Sequence, residues 1–279
     1  MRVVTSVPIT FEAADRTTVH SPLIVATLGG IETRLVLDTG SEVHLLTREL
    51  ADRIGLELTD GDEGIDHAGN IMPSWSAGTV PTKLADTDLA LNDTVVIPAP
   101  GPFEGWGIGG ILSPQHLHPT ALAVIDLVAD ELLLVEGDDA SIAGWAASRH
   151  PELTTLSLDP ADASPVVVVS AAIRPFPEIP VLLNTGGRNT EFDTVAVPAL
   201  VASAAERLGG GVSGADVMGG FAEAQTLIVS GKALPVARLA IRKGMEPPHG
   251  MVGMDLLGGT VLICGADQSR RVLWQVPPT

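Results

Sequence analysis

Short apolar runs, often β-branched, recur along the whole chain and are separated by Gly, Pro, Asp and Asn. Runs of this length with such boundaries predict strands joined by turns and hairpins. The clearest runs are PLIVATLGG, TRLVLDTG, LAVIDLVADELLLVEG, SPVVVVSAAI, IPVLLNTGG, AQTLIVSG, GTVLICG and RRVLWQVP. Helical periodicity is found at residues 47–55 and 198–211, and each of these segments ends in glycine. The pattern therefore predicts an all-β protein with a few short helices.

A stretch rich in Asp, Ala, Ser and Pro lies near the middle of the chain, at residues 137–165. Such a composition is typical of a linker. We therefore expect an N-terminal lobe at 1–140, a linker at 141–165 and a C-terminal lobe at 166–279.

The two halves of the sequence contain the same order of predicted structural elements. Each has an apolar strand that runs into an x-Thr-Gly loop, a predicted helix, a glycine-bearing hairpin region and a second glycine motif. Asp38 and Asn184 are 146 residues apart, and Gly110 and Gly250 are 140 apart. Similar offsets for two separate motifs predict an internal duplication.

Composition narrows the possible functions. The 34 acidic and 16 basic residues give a net charge of −18, which argues against nucleic acid as a partner because phosphate binding needs a basic face. No apolar run reaches the roughly 18 residues that span a bilayer. The N-terminus has no apolar core behind a basic end, so we expect a cytoplasmic protein that does not use a membrane.

The single cysteine, Cys264, lies in an apolar strand-like run. It excludes an internal disulfide and is expected to be a small buried apolar residue. The histidines are scattered, apart from His116 and His118, and no Cys or Glu accompanies them at ligand spacing. The sequence therefore predicts no metal site and no cofactor.

The segments VLDTGS (36–41) and MVGMDLL (251–257) resemble the two signature elements of aspartic peptidases of the pepsin and retropepsin clan. ILSPQHL (111–117) is similar to the second element, with Ser113 where glycine is usual. The resemblance implies an all-β, two-lobed acid-protease fold with its cleft between the lobes. It also implies a base sheet shared by both lobes, for which TSVPITF, LTTLSL and RVLWQV are the expected strands.

The implied chemistry is peptide hydrolysis by water held between two carboxyl groups. Two carboxylates this close cannot both ionise, so the pair shares one proton, and one member takes a proton from water while the other supports the carbonyl. By resemblance Asp38 is the base and position 184 its partner. Thr39 and Thr185 would brace the two loops, Gly40 and Gly186 would make tight turns, and Ser41 would hydrogen-bond Asp38.

Asparagine at position 184 departs from this pattern, because an amide donates hydrogen bonds but does not exchange a proton. Four explanations are open. The residue is a deliberate Asp→Asn change; the chain is a natural pseudo-peptidase that binds peptides; Asp38 retains activity with Asn184 as a carbonyl-polarising donor; or the register is wrong and Asp193, in EFDTVAV, is the partner. Asp193 lacks the following glycine.

A hairpin that covers the substrate is expected from the resemblance at residues 64–78, with a second at 215–226. The candidate substrate contacts are His67, Gly69, Trp75, Met218 and Phe221. The chain contains no tyrosine, which is frequent in this hairpin. We therefore expect an aspartic endopeptidase acting on peptides or proteins, and a monomer, since a duplicated chain holds both loops. The alternatives are a peptide-binding pseudo-peptidase and a structural β-protein without a cleft.

Overall fold

The computed structural model describes residues 1–11, 21–98, 101–161, 164–267 and 271–278. Strands dominate these residues, as the run lengths predict. In chain order the strands are β1 (Arg2–Pro8), β2 (Thr10–Phe11), β3 (Pro22–Leu28), β4 (Ile31–Leu37), β5 (Leu45–Thr47), β6 (Thr59–Asp60), β7 (Gly64–Ile65), β8 (Ile71–Met72), β9 (Trp75–Leu84), β10 (Thr87–Ile97), β11 (Ile108–Leu112), β12 (Leu122–Asp126), β13 (Glu131–Glu136), β14 (Thr154–Leu158), β15 (Val168–Ile173), β16 (Ile179–Leu183), β17 (Glu191–Asp193), β18 (Glu206–Gly210), β19 (Asp216–Val229), β20 (Lys232–Arg242), β21 (Gly250–Val252), β22 (Val261–Cys264) and β23 (Val272–Val276).

The helices are short. They are α1 (Arg48–Ile54), α2 (Gly101–Trp106), α3 (Asp139–Arg149), α4 (Met254–Leu257) and a 3₁₀ turn at Pro114–His116. Helix α1 lies where the sequence predicts a helix, with Thr47 as its N-cap and Gly55 in the left-handed conformation at its C-terminus. Helix α3 and strand β14 occupy much of the stretch proposed as a linker; residues 162–163 of it lie outside the described residues. No helix among the described residues is long and apolar enough to cross a bilayer.

The helix predicted at 198–211 is wrong. Its second part forms β18, which pairs with β19, and the residues before β18 are irregular. Leu208 is buried against Val217 and Ala240, so strand pairing gives this side chain an apolar site. Tertiary packing thus overrides the modest helix propensity of an alanine-rich segment that ends in three glycines.

Two large sheets form the lobes and repeat one arrangement. In the N-terminal lobe, β11 lies between β4, to which it is parallel, and β5, to which it is antiparallel. In the C-terminal lobe, β21 lies in the same way between β16 and β17. β5 then pairs in parallel with β10, and β17 with β20. The predicted duplication and the all-β, two-lobed architecture are confirmed.

A third sheet closes the base, in the order β1-β13-β12-β22-β23-β14. It contains β1, β14 and β23, which are the segments expected to form a shared sheet, and its middle pairing joins β12 to β22. One face packs into the main core, and the other is covered by α3. Cys264 lies in this sheet, where burial raises the pKa of its thiol to about 12, so it is the inert apolar residue expected.

Candidate active site

The two x-Thr-Gly loops leave the middle of their lobes at equivalent points. Asp38 follows β4, and its backbone N–H donates to the carbonyl of Leu112 at 2.9 Å. Asn184 follows β16, and its N–H donates to Val252 at the same 2.9 Å. Each loop is therefore fixed by the strand inserted beside it.

Thr39 and Thr185 hold the two loops together through a reciprocal set of buried hydrogen bonds. The Thr39 hydroxyl donates to Leu183 O at 2.6 Å and accepts from the Thr185 N–H at 3.0 Å. The Thr185 hydroxyl donates to Leu37 O at 2.7 Å and accepts from the Thr39 N–H at 3.1 Å. Both threonines are fully buried, so water cannot replace these bonds. We call this set of bonds the threonine brace.

The brace brings Asp38 and position 184 together. A Cβ on Gly186 would overlap the Asp38 carboxyl group, and one on Gly40 would lie 2.6 Å from Cγ of Asn184. Each acid-position side chain thus packs against the glycine of the opposite loop. The brace pairs Thr39 with Thr185, so Asn184 and not Asp193 faces Asp38.

Asp193 has a different, structural role. Its carboxylate is buried and accepts hydrogen bonds from the N–H groups of Val195 and Met245, at 2.8 and 2.7 Å. It orders the chain around the end of β17. The explanation of position 184 by a shifted register is therefore wrong.

The orientation of the Asn184 amide follows from its neighbours. Its Oδ1 accepts from the N–H groups of Gly186 and Gly187, at 2.8 and 3.0 Å, and its Nδ2 donates to Met251 Sδ at 3.0 Å. The oxygen is thus engaged by backbone donors, and the amide nitrogen points towards a thioether, which is a weak acceptor.

Asp38 is a partly buried acid. Desolvation raises the pKa of its carboxyl above the ordinary value, and it is opposed by N–H groups of Gly40 and Gly186 and by the positive charge of His67. Its Oδ1 accepts from the Gly40 N–H at 2.7 Å. A carboxyl in this state is suited to proton transfer at a pH closer to neutrality than a free aspartate.

Ser41 does not hydrogen-bond Asp38 through its side chain, as was expected. Its hydroxyl donates to Val43 O at 2.7 Å, within its own loop. Its carbonyl accepts from the hydroxyl of Ser113 at 2.9 Å and from Gln115 Nε2 at 3.1 Å. The contribution of Ser41 is to fix the backbone of the Asp38 loop.

Residues behind the two loops support them, and several of these residues were not predicted. Gln115 is buried and also donates to Pro165 O at 3.2 Å. In the C-terminal half the Thr190 hydroxyl donates to Asp255 at 2.7 Å. Ser21 donates across the lobes to Gly186 O at 2.9 Å. The alignment of ILSPQHL with MVGMDLL gave a signal for Gln115 and Asp255, which occupy corresponding positions.

His44 is a further buried support residue. Its Nδ1 accepts from the Ser113 N–H at 3.2 Å, and its Nε2 has no hydrogen-bond partner among the described residues. Desolvation lowers the pKa of His44 from 6.5 to about 4, so the ring is neutral in the folded protein at neutral pH.

We expect His44 to make the fold sensitive to acid. Its pKa is lower in the folded state, so the unfolded chain binds more protons below pH 6.5 and stability falls as pH decreases. Between pH 6.5 and about 4 this amounts to about 3 kcal/mol. Asparagine retains an acceptor near the Ser113 N–H, so His44→Asn should flatten the profile of unfolding free energy against pH, measured by denaturant titration. An unchanged slope in His44→Asn would contradict this assignment.

The 64–72 hairpin, formed by β7, β8 and their turn, reaches from the N-terminal lobe to the C-terminal lobe. Asp66 Oδ2 accepts from the Ser213 N–H at 3.0 Å, and Asn70 Nδ2 donates to the Ser213 hydroxyl at 3.2 Å. Ala68 packs against the apolar cluster around Leu208 in the C-terminal lobe. The 64–72 hairpin therefore contacts both lobes.

The five hairpin candidates have different surroundings. His67 Nε2 lies 3.4 Å from Glu191 Oε2 of the C-terminal lobe. Gly69 makes the turn of the 64–72 hairpin, with φ of 83°. Trp75 stacks on Arg48, whose Cζ is 4.9 Å from the ring centroid; Phe221 packs under Arg238 at 3.8 Å, and Met218 is 52% exposed. Of these residues, His67 is the one placed against a charged group of the other lobe.

Gly186 should tolerate no side chain. Because an added Cβ would overlap the buried Asp38 carboxyl group, Gly186→Ala should displace the loop and cost about 1–3 kcal/mol of unfolding free energy. Gly209→Ala is the control, since a Cβ there meets nothing within 4 Å. Denaturant unfolding of both variants tests this, and equal stabilities would show that the loops are not packed as described.

The all-β, two-lobed architecture is consistent with an aspartic protease fold. Residues 24–112, which include the Asp-Thr-Gly-Ser loop, match the family model described as aspartyl protease. This match supports an aspartic peptidase family. No curated protein matches the chain.

Proposed function

We propose that this protein is an aspartic-type endopeptidase that hydrolyses peptide bonds with water bound between its lobes. The observation that supports this most is the threonine brace, which fixes the Asp38 carboxyl against the loop of Asn184. The match of residues 24–112 to the aspartyl protease model supports aspartic-type peptidase activity in general.

In this proposal Asp38 is the general base. Its carboxylate takes a proton from water, and the resulting hydroxide oxygen adds to the peptide carbonyl carbon. Burial of Asp38 raises its pKa, which makes the carboxylate a stronger base than a free aspartate. The substrate is a peptide or protein, which lies beneath the 64–72 hairpin.

A second candidate is a pseudo-peptidase that binds peptides without cleaving them. The observation that favours it is the state of Asn184, whose oxygen accepts from two backbone N–H groups and whose nitrogen faces Met251. A side chain held in this way supplies no proton. The same peptide would be held between the same lobes.

The test compares the chain with Asp38→Ala. A peptide library is incubated with each between about pH 3 and 7, a range that covers the titration of perturbed carboxyls, and products are identified by mass spectrometry. Binding of a statine-containing peptide, a mimic of the tetrahedral intermediate, is measured by calorimetry. Cleavage that Asp38→Ala abolishes supports the peptidase, statine binding without cleavage supports the pseudo-peptidase, and absence of both contradicts the two proposals.

A further inference from the structure

Peptide hydrolysis by bound water requires two proton-transferring groups, and this inference rests on the proposed peptidase function. One group accepts the proton of water, and the other protonates the carbonyl oxygen as the tetrahedral intermediate forms. Asp38 can act as the first. Asn184 cannot be the second, because an amide does not exchange protons and its oxygen already accepts from Gly186 and Gly187.

His67 stands on the turn of the 64–72 hairpin, and its ring is anchored to the C-terminal lobe. Its Nε2 lies 3.4 Å from Glu191 Oε2 and 3.3 Å from Arg242 Nη1. No group among the described residues hydrogen-bonds its Nδ1, and 35% of the side chain is exposed. One ring nitrogen is therefore held by the protein, and the other is open to a ligand.

The anchor lies on the face of the sheet that bears position 184. Glu191 and Met251 are directly opposite in the antiparallel pair of β17 and β21, so their side chains project from the same face. Met251 Sδ contacts the Asn184 amide. A continuous path of side chains thus runs from Asn184 through Met251 and Glu191 to His67.

The charges around His67 are incompletely satisfied. Glu191 and Arg242 have 4% and 10% of their side chains exposed, yet their closest N–O distance is 3.8 Å. Glu191 Oε2 and Arg242 Nε have no hydrogen-bond partner among the described residues. A buried ion pair with such loose geometry is expensive to maintain, so its presence beside His67 points to a role other than stability.

We propose that His67 is the second acid–base group of this site, in place of a carboxyl at 184, and that Glu191 and Arg242 are the residues that position it. Glu191 Oε2 and Arg242 Nη1 lie 3.4 and 3.3 Å from Nε2 of His67, so the two side chains fix the orientation of the ring. The positive charge of His67 also acts on Asp38, where it opposes the rise in pKa caused by burial.

With these two groups, every proton that is transferred in the reaction has a donor and an acceptor. Asp38 takes a proton from water, the oxygen of water bonds to the carbonyl carbon, and the imidazolium of His67 gives its proton to the carbonyl oxygen. In the second step Asp38 gives its proton to the amide nitrogen, the C–N bond breaks, and His67 takes a proton from a hydroxyl of the intermediate. The products are an acid and an amine, and both groups return to their starting states.

The titratable and charged groups that face His67 are Glu191 on β17, Arg242 on β20, Asp38 and, on its own hairpin, Asp66, whose carboxylate accepts from the Ser213 N–H.

A double-mutant comparison separates this role from a structural one. His67→Gln should lower kcat/KM about 10²-fold or more in the chain as it is, because the proton donor is lost. In the Asn184→Asp background a carboxyl again provides that proton, so the same change should cost less than about fivefold. Asn92→Ala is the control, since Asn92 is exposed on β10 outside the hairpin and its contact with Thr79 involves neither acid–base group.

Glu191→Gln tests the positioning. Loss of this contact to His67 should lower kcat while KM changes by less than about twofold, a split that a general loss of packing would not produce. Circular dichroism and thermal unfolding of every variant establish that each is folded.

Each outcome of these experiments either supports or overturns the proposed role of His67. An equal loss of kcat/KM from His67→Gln in both backgrounds overturns the proposal for His67. An inactive parent chain beside an active Asn184→Asp variant also overturns it, but leaves the proposed peptidase function in place. If all variants are inactive and the statine peptide does not bind, the proposed function fails and this inference fails with it.

Discussion

In the His67→Gln background, replacing Asn184 with aspartate should raise kcat/KM for peptide cleavage in acid by about 10²–10⁴-fold, the usual contribution of one acid–base group. The new carboxyl keeps the backbone donors of Gly186 and Gly187, and its second oxygen replaces Nδ2 beside Met251. Since Asp38 is its neighbour, the two groups should share one proton and titrate as a pair. Rates measured from about pH 3 to 7 on a quenched fluorescent peptide test this.

Asn92→Asp is the matched control for this gain. It introduces the same charge at an exposed position, where Asn92 accepts a hydrogen bond from Thr79 at 3.0 Å. Its activity should equal that of the parent chain. If Asn184→Asp gains no activity in the His67→Gln background while still binding the statine peptide, a missing carboxyl is not what limits catalysis, and the pseudo-peptidase becomes the better description.

Thr185→Val should be the most destabilising conservative change in the molecule. The substitution retains shape but removes the hydroxyl that donates to Leu37 O and accepts from the Thr39 N–H. Two buried backbone groups lose their partners, at about 1–3 kcal/mol each, so the free energy of unfolding should fall by about 2–6 kcal/mol. Peptidase activity should fall as well, because the loops are no longer held in register. Urea unfolding and the peptide assay measure both effects.

Thr59→Val provides the comparison, because the Thr59 hydroxyl makes a 3.5 Å contact to Ser76 O at an exposed site. We expect a change within about 0.5 kcal/mol for this variant. A loss below about 1 kcal/mol in Thr185→Val would mean that the brace contributes little more than an ordinary hydrogen bond.

Features that depend on local pattern or on duplication could be predicted from the sequence. The strands, helix α1 and the inert Cys264 follow from apolar periodicity and burial. The shared base sheet and the pairing of Thr39 with Thr185 were expected from the resemblance to aspartic peptidases, and the structure contains both.

Features that depend on packing between distant segments could not be predicted. Residues 198–211 look helical by composition, yet Leu208 is buried as part of a strand. The Ser41 hydroxyl donates to Val43 O and not to Asp38, and the amino-acid sequence does not show which acceptor it uses. The approach of His67 to Glu191 joins residues more than a hundred positions apart, and neither belongs to a recognisable motif.

The base sheet has a consequence for how the chain is made. Strand β12 pairs on one side with β13 and on the other with β22, which is synthesised more than 130 residues later. A nascent chain that has completed only the first half therefore displays an apolar strand edge, from Ala123 to Asp126, that awaits its partner. In a fragment released at that stage, this strand edge could pair with the same strand of a second fragment. The resulting dimer would contain two copies of the Asp38 loop, where the complete chain contains one Asp38 and one Asn184.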